Sequence, residues 1–156
     1  MENKKVYYIA SDHAGFEMKE GVKEYIKTKY TDIELFDLGV DNNKSVDFPD
    51  YAEKACIEIL KNEGSKGILI CGSGIGISIT ANKFKGIRCA LCHDYATARI
   101  SREHNNANVV AFGGRFVGLE VANTIIDGFV YGVFNTDPKY QRRNDKIDEI
   151  QKKYSQ

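Results

Sequence analysis

Short runs that are apolar at nearly every position alternate along this chain with longer stretches that are apolar on one side only. The short runs fall at about 5–10 (KVYYIA), 33–37 (IELFD), 67–71 (GILIC), 88–92 (RCALC) and 108–112 (NVVAF). Runs of this length predict strands, and strands apolar on both faces predict a sheet covered on both faces. One-sided patterns over about 15–29, 50–63, 76–84, 94–104 and 117–131 predict amphipathic helices between them. The alternation is that of an α/β chain: three α/β/α layers around a Rossmann-like parallel sheet of about five strands, with right-handed crossovers. Strand order is not legible from the pattern.

The last segment, about 139–154, breaks the rhythm. It is highly charged, with apolar residues only at Tyr140, Ile147, Ile150 and Tyr154, and Pro138 stands where a helix can begin. So narrow a stripe suits a helix packed on a neighbouring subunit, or a solvated terminal helix.

Composition narrows the class. A chain of 156 residues is expected to form a single domain, 1–156, with a sizeable core. Lys plus Arg equals Asp plus Glu at 22 each, which gives no broad basic field for a nucleic-acid partner. The apolar run before Ser11 and Asp12 is too short for a signal-peptide core, and no stretch approaches a membrane span. The expectation is a cytoplasmic protein whose four cysteines, Cys56, Cys71, Cys89 and Cys92, are thiols.

In open parallel sheets ligands sit outside the carboxyl ends of the strands. Those ends carry Asp12 and His13, then Asp47 and Asp50, then Cys71-Gly72-Ser73-Gly74, then His93 and Asp94, and finally Gly113-Gly114-Arg115. The third end is the most unusual: ILICGSGIGISI (68–79) places a thiol at the edge of three alternating glycines. A glycine turn opening a helix offers N–H groups and a positive dipole end to an anion; a tight turn packed against the sheet is the alternative. No Gly-Lys-Ser/Thr triplet occurs, so this is not a nucleotide P-loop. Counted from Gly72, the sixth position is Ile77, so the dinucleotide fingerprint fits poorly, although Asp94 falls roughly where a ribose-binding acid would stand. The helix start after Cys71 favours a thiolate, making it a candidate general base; an inert core thiol is the alternative. Cys89 and Cys92 fall inside a strand rather than at a helix start and lack a second pair for zinc, so both are expected to be packing residues, with no metal site.

The segments SDHAGFEMKE (11–20), SVDFPDYA (45–52), CGSGIGISITANKFKGIRCA (71–90), SREHNNANVVAFGGR (101–115) and QRRNDKIDEI (141–150) resemble the type B ribose-5-phosphate isomerases and the related galactose-6-phosphate isomerase subunits. The resemblance covers about Val6 to Ile150. It implies interconversion of an aldose phosphate and a ketose phosphate through a cis-enediolate, without cofactor or metal. It also implies a homodimer or a dimer of dimers. By position, Cys71 matches the base of family members that use a thiol. Others carry a glutamate six residues later, where this chain has Ile77. Ser73, with N–H groups from Gly72 through Gly74 and Ile75 to Gly76, matches the enediolate-binding loop. His104 matches the ring-opening acid–base residue, and Asn105 a sugar contact. Asp12 and His13 match a ligand-binding pair, and Arg115 and Arg143 substrate-site arginines, with Arg143 the phosphate candidate.

One departure stands out. Where the family commonly shows Arg-His shortly before that last arginine, this chain has Lys139 and Tyr140. Lysine keeps the charge and loses bidentate geometry, so phosphate affinity or substrate choice is expected to differ. Ribose 5-phosphate is the leading substrate; a six-carbon sugar phosphate, such as allose 6-phosphate or galactose 6-phosphate, stays open. So does a non-catalytic sugar-phosphate-binding subunit. A nucleotide-dependent oxidoreductase is the third class.

Topology adds one expectation. His104 ends the helix after the fourth strand, and that helix runs antiparallel to the sheet, which puts its end on the side away from Cys71. His104 and Asn105 are therefore expected to complete the site of a neighbouring chain. The alternative is a histidine that caps its own helix.

Overall fold

The computed structural model describes residues 4–155. Its strands β1 (Lys5–Ser11), β2 (Ile33–Asp37), β3 (Lys66–Cys71), β4 (Cys89–Leu91) and β5 (Val109–Gly113) form one parallel sheet in the order β2-β1-β3-β5-β4. The helices are α1 (Phe16–Lys29), α2 (Phe48–Lys61), α3 (Ile75–Ala81), α4 (Tyr95–Asn105), α5 (Leu119–Tyr131) and α6 (Pro138–Tyr154).

Successive residues of each strand enter opposite layers, which is why the strands are apolar throughout. Tyr7, Ile9, Ile68, Ile70, Val110 and Phe112 pack under α1, α4 and α5. Tyr8, Ala10, Leu69, Cys71, Val109 and Ala111 pack under α2 and α3. The expected three-layer Rossmann-like architecture is what the chain adopts.

Element ends differ from the pattern where side chains take over backbone groups. Asp12 caps a short 3-10 turn, His13–Gly15, so α1 begins one residue later than the apolar period suggests. The helix α3 stops at Ala81, well before 84, because Asn82 turns to the edge strand. Its Nδ2 donates to the Cys89 carbonyl at 2.9 Å, and the Cys89 N–H donates to its Oδ1 at 2.8 Å. One side chain thereby pairs both backbone groups of Cys89 at the open edge of β4. The start of α5 is delayed to Leu119 by a turn in which the Phe116 and Val117 N–H groups donate to the Gly113 carbonyl.

The last helix is attached by polar contacts. Its buried residue is Asn144, whose Nδ2 donates to the His104 and Tyr140 carbonyls, each at 2.8 Å. The Arg88 guanidinium donates to the Asn144 Oδ1 and carbonyl and pairs with Asp148. Ile147, Ile150 and Tyr154 are exposed. Among the described residues, no helix is long and apolar enough to cross a membrane.

All four cysteines are free. Burial pushes the Cys56 thiol up to about 12 and Cys92 up to about 11, and raises Cys89 as well. Cys89 packs with the α2–α3 layer and Cys92 with the α1–α4–α5 layer, so the two point to opposite faces of the sheet.

Candidate active site

From β1 the chain runs outward to β2, then crosses back past β1 to β3, so the connections leaving β1 and β3 diverge. Such a switch in strand order leaves a crevice at the carboxyl edge. Beyond the strand ends the backbone stays stitched together. Asp12 N–H donates to the Ile70 carbonyl at 3.2 Å, Gly114 N–H to Cys71 at 2.9 Å, and Arg115 N–H to Gly72 at 3.0 Å. The result is a cavity of about 270 Å³ lined by Asp12, His13, Cys71, Gly72, Ser73, Gly76 and Arg115, with Ala14, Phe48 and Phe116 completing its walls.

Four of the polar side chains there, Asp12, His13, Cys71 and Ser73, are oriented by backbone. The Asp12 Oδ1 accepts from Gly15 N–H at 3.0 Å, which fixes the buried carboxylate at the rim. His13 Nδ1 lies 3.2 Å from both the Val46 nitrogen and the Val46 carbonyl oxygen, so the main chain of Val46 holds the ring. Cys71 Sγ accepts from Gly74 N–H at 3.1 Å, and Ser73 Oγ accepts from Ile75 N–H at 3.2 Å. The serine's own proton is then available to an acceptor in the cavity. The Gly74 and Ile75 N–H groups thus serve the loop's side chains, and neither residue lines the cavity; Gly74 is buried and Ile75 exposed.

Two glycines in this region are dictated by space. Gly74 has φ 78°, and a Cβ there would stand 2.6 Å from the Phe112 carbonyl carbon. A Cβ on Gly113 would stand 2.5 Å from the Ser73 carbonyl carbon. The loop therefore lies flat against the end of β5, as the tight-turn reading requires, while Cys71 and Ser73 face the cavity. Ile77 points into the α2–α3 core and presents no proton acceptor.

Four other polar strand-end residues lie outside the cavity. Asp94 caps α4, its Oδ1 accepting from Thr97 N–H at 2.7 Å, and that bond holds its carboxyl below the usual range. The acid needed by a dinucleotide site is therefore a helix cap. His93 is exposed outside the cavity, and Asp47 and Asp50 stand at the start of α2, lining a separate surface hollow.

The remaining expected site residues gather elsewhere. α4 spans about 16 Å at 1.5 Å per residue, antiparallel to β4 and β5, which puts its end at the opposite edge of the sheet. There the His104 ring stacks on Tyr140, with centroids 4.5 Å apart and planes 17° apart. Lys139 Nζ and the Arg143 guanidinium lie 5.1 and 5.9 Å from the same tyrosine ring. Asn105 borders a larger groove of about 660 Å³ between α6 and β4, whose other walls include Arg88, Ile147 and Tyr154. That groove is bigger than the strand-end cavity but holds no thiol-hydroxyl-imidazole grouping. The two clusters are separate within one chain.

Sequence reasoning missed the aromatic walls Phe48 and Phe116, the Val46 main chain behind His13, and Asn144. Phe48 was signalled by its place in SVDFPDYA; Asn144, a polar residue in a charged helix, gave no signal.

The family model for Ribose/Galactose Isomerase matches residues 7–147. This chain belongs to the ribose/galactose isomerase family. Among its relatives, ribose-5-phosphate isomerase B of Escherichia coli is 39% identical over 142 residues, 91% of this chain and 93% of that protein. The structure of a ribose 5-phosphate isomerase from Thermotoga maritima matches with TM-score 0.88 at 48% identity, covering 93% of this chain and 98% of that one. Ribose-5-phosphate isomerase B of Clostridium thermocellum matches with TM-score 0.90 at 43% identity, covering 96% and 99%. The family match spans both clusters, from the β1 end to the first turns of α6.

Proposed function

We propose that this chain is a cofactor-independent aldose–ketose isomerase that interconverts ribose 5-phosphate and ribulose 5-phosphate. The observation that carries the reading is the strand-end cavity of a family member, in which a thiol, a hydroxyl, an imidazole and a guanidinium converge at the β1–β3 switch.

The chemistry follows from what each group can do. In the aldose direction His104 delivers a proton to the ring oxygen as the bond between that oxygen and C1 breaks. The imidazole recovers a proton from the C1 hydroxyl, which becomes the aldehyde. Cys71, as thiolate, takes the proton from C2, and the C2–H electron pair becomes the C1=C2 double bond of the cis-enediolate. Ser73 donates its hydroxyl proton toward the enediolate oxygens. The C2 hydroxyl proton passes by way of Ser73 to the C1 oxygen, and the Cys71 thiol returns its proton to C1 as C2 becomes the ketone. Arg143 and Lys139 hold the phosphate, and this remote grip is what sets the reacting carbon against sulfur. Asp12, His13, Asn105 and Arg115 complete the sugar contacts.

One active site then needs two chains: the cavity of one subunit facing the His104 cluster of its neighbour, in a homodimer. Ile75 on α3 and Phe116 beside the cavity are 53% and 74% exposed, which suits a covered rim.

The test is deuterium exchange at C2 in heavy water, with ribose 5-phosphate and allose 6-phosphate supplied separately. Exchange into ribose 5-phosphate that falls by about 100-fold or more in Cys71→Ala is expected for the loss of the base. Equal exchange by the variant would remove Cys71 from that role, and exchange confined to allose 6-phosphate would move the substrate to six carbons.

A further inference from the structure

Tyr140 stands where the family commonly has a histidine, and in this chain it is the ring around which the second cluster is organised. Its plane lies 17° from that of the His104 imidazole, and Lys139 and Arg143 both place their charges beside it. The stack has support on both sides. The Tyr140 carbonyl accepts from Asn144 Nδ2, and the same amide donates to the His104 carbonyl, so one buried side chain ties the two backbones together. Asn135 N–H donates to the Glu103 carbonyl at 2.9 Å, docking the segment before α6 onto the end of α4. Among the described residues no side-chain hydrogen bond fixes the imidazole, although the end of α4 is capped by Asn106. A near-parallel aromatic ring restricts the imidazole's rotation through face-to-face contact and gives neighbouring cations a favourable π surface.

The geometry points to Tyr140 as the positioning residue of His104: its ring fixes the plane of the imidazole and, through Lys139 and Arg143, the distance between the ring-opening group and the phosphate grip. The inference rests on the reading of His104 as that ring-opening group. Tyr140 acts by stacking, so its hydroxyl is dispensable and its ring is not.

The substrate pair supplies a test that separates positioning from folding. Ribulose 5-phosphate cannot close a furanose ring, because its C5 oxygen carries the phosphate. Its C1 proton can therefore exchange through the enediolate without ring chemistry, whereas forming cyclic ribose 5-phosphate on the protein requires it. The ratio of C1 deuterium exchange to net isomerisation, measured from ribulose 5-phosphate in heavy water, does not depend on how much protein is folded. For Tyr140→Leu the ratio is expected to rise about tenfold, as expected when a reacting group is misplaced, and Tyr140→Phe should stay near the parent value. His104→Ala is the control. If His104→Ala leaves the ratio unchanged, the reading of His104 fails and the inference falls with it. If His104→Ala raises the ratio and Tyr140→Leu does not, the inference alone is overturned. A second readout needs no turnover: with His13, His93 and His104 the only histidines, the His104 Cε1–H resonance should move downfield in Tyr140→Leu and not in Tyr140→Phe. An unmoved resonance would show that the two rings do not stack in solution.

Discussion

The two clusters of site residues are built by different means. At the strand ends, Asp12, His13, Cys71, Ser73 and Arg115 are held by main chain. Inter-loop N–H donors continue the sheet's pairing past β1, β3 and β5, and Gly74 and Gly113 allow backbone to lie on backbone. At the α4–α6 junction, His104, Lys139, Tyr140 and Arg143 are held by side chains: one aromatic stack and the amide of Asn144. The first arrangement is inseparable from the fold. The second sits on half-buried or exposed residues and can be altered while the sheet is left intact. The division matches the proposed roles, since a proton-transfer base must be fixed to fractions of an ångström while a phosphate grip tolerates adjustment.

The largest expected effect comes from taking the clusters apart. Cys71→Ala and His104→Ala should each lower kcat by about 100-fold or more. A purified heterodimer of the two variants carries one site with both groups and one with neither, so it should regain about half the parent activity. No recovery in a verified heterodimer would place both groups in one chain's site and undo the division.

Next is a paired substitution that asks whether each cluster is fold or attachment. Gly74→Ala puts a methyl group into Phe112 at a left-handed backbone position. It should destabilise by about 3 kcal/mol, combining roughly 1–2 for the backbone with an overpacked contact, and should lose turnover with it. Asn144→Ala removes the tie between α4 and α6 at about 1–2 kcal/mol, yet should lower kcat about tenfold by loosening His104. Urea midpoints and kcat on the same preparations decide this. Equal stability losses would mean that α6 is as much part of the fold as β5.

This contrast also explains what the sequence disclosed. The sheet, its layers and the strand-end cavity followed from apolar runs and the general rule for ligand sites in parallel sheets, because backbone pairing forces that arrangement on any such pattern. The opposite placement of His104 followed from helix direction alone. The errors cluster where a polar side chain substitutes for backbone. Asn82 ends α3 early and covers β4, and Asp94 caps a helix where a ribose acid was weighed. Asn144 and Tyr140 depend on which helix faces lie together, which no local pattern records.

A third effect tests the support beneath the strand-end cluster. Lys19 is fully buried, and its ammonium donates to both Asp37 oxygens, at 2.8 and 2.7 Å. Asp37 in turn accepts from Gly39 N–H, whose carbonyl takes the Ser11 N–H beside Asp12. Burial works to raise the Asp37 carboxyl, but the hydrogen bonds from Lys19 and Lys23 outweigh it and hold the group below the usual range. A depressed folded-state value means that this stabilisation is fully present above the unfolded value of about 4 and is lost as pH falls through the folded value. Melting temperature followed from pH 7 down to pH 3 should therefore fall more steeply in the parent than in Asp37→Asn. The variant should start about 2 kcal/mol less stable, a buried-pair loss reduced by partial exposure. Parallel pH curves would show that Asp37 contributes nothing to the acid limb.

The smallest expected effect lies in the second cluster. Lys139 Nζ pairs with Asp137 at 3.3 Å, with both side chains exposed. An exposed pair of this kind is worth at most about 1 kcal/mol, so the ammonium is cheaply released to a phosphate. In the proposed role it would meet the phosphate as a point charge, where arginine would offer two parallel donors. Lys139→Arg should accordingly lower KM for ribose 5-phosphate about threefold and leave kcat within a factor of about two, because a stronger grip on a non-reacting group that is already positioned tightens ground and transition states alike. A change in kcat with KM unmoved would instead tie Lys139 to the stack beneath His104, making that cluster a single unit in which grip and proton transfer cannot be adjusted separately.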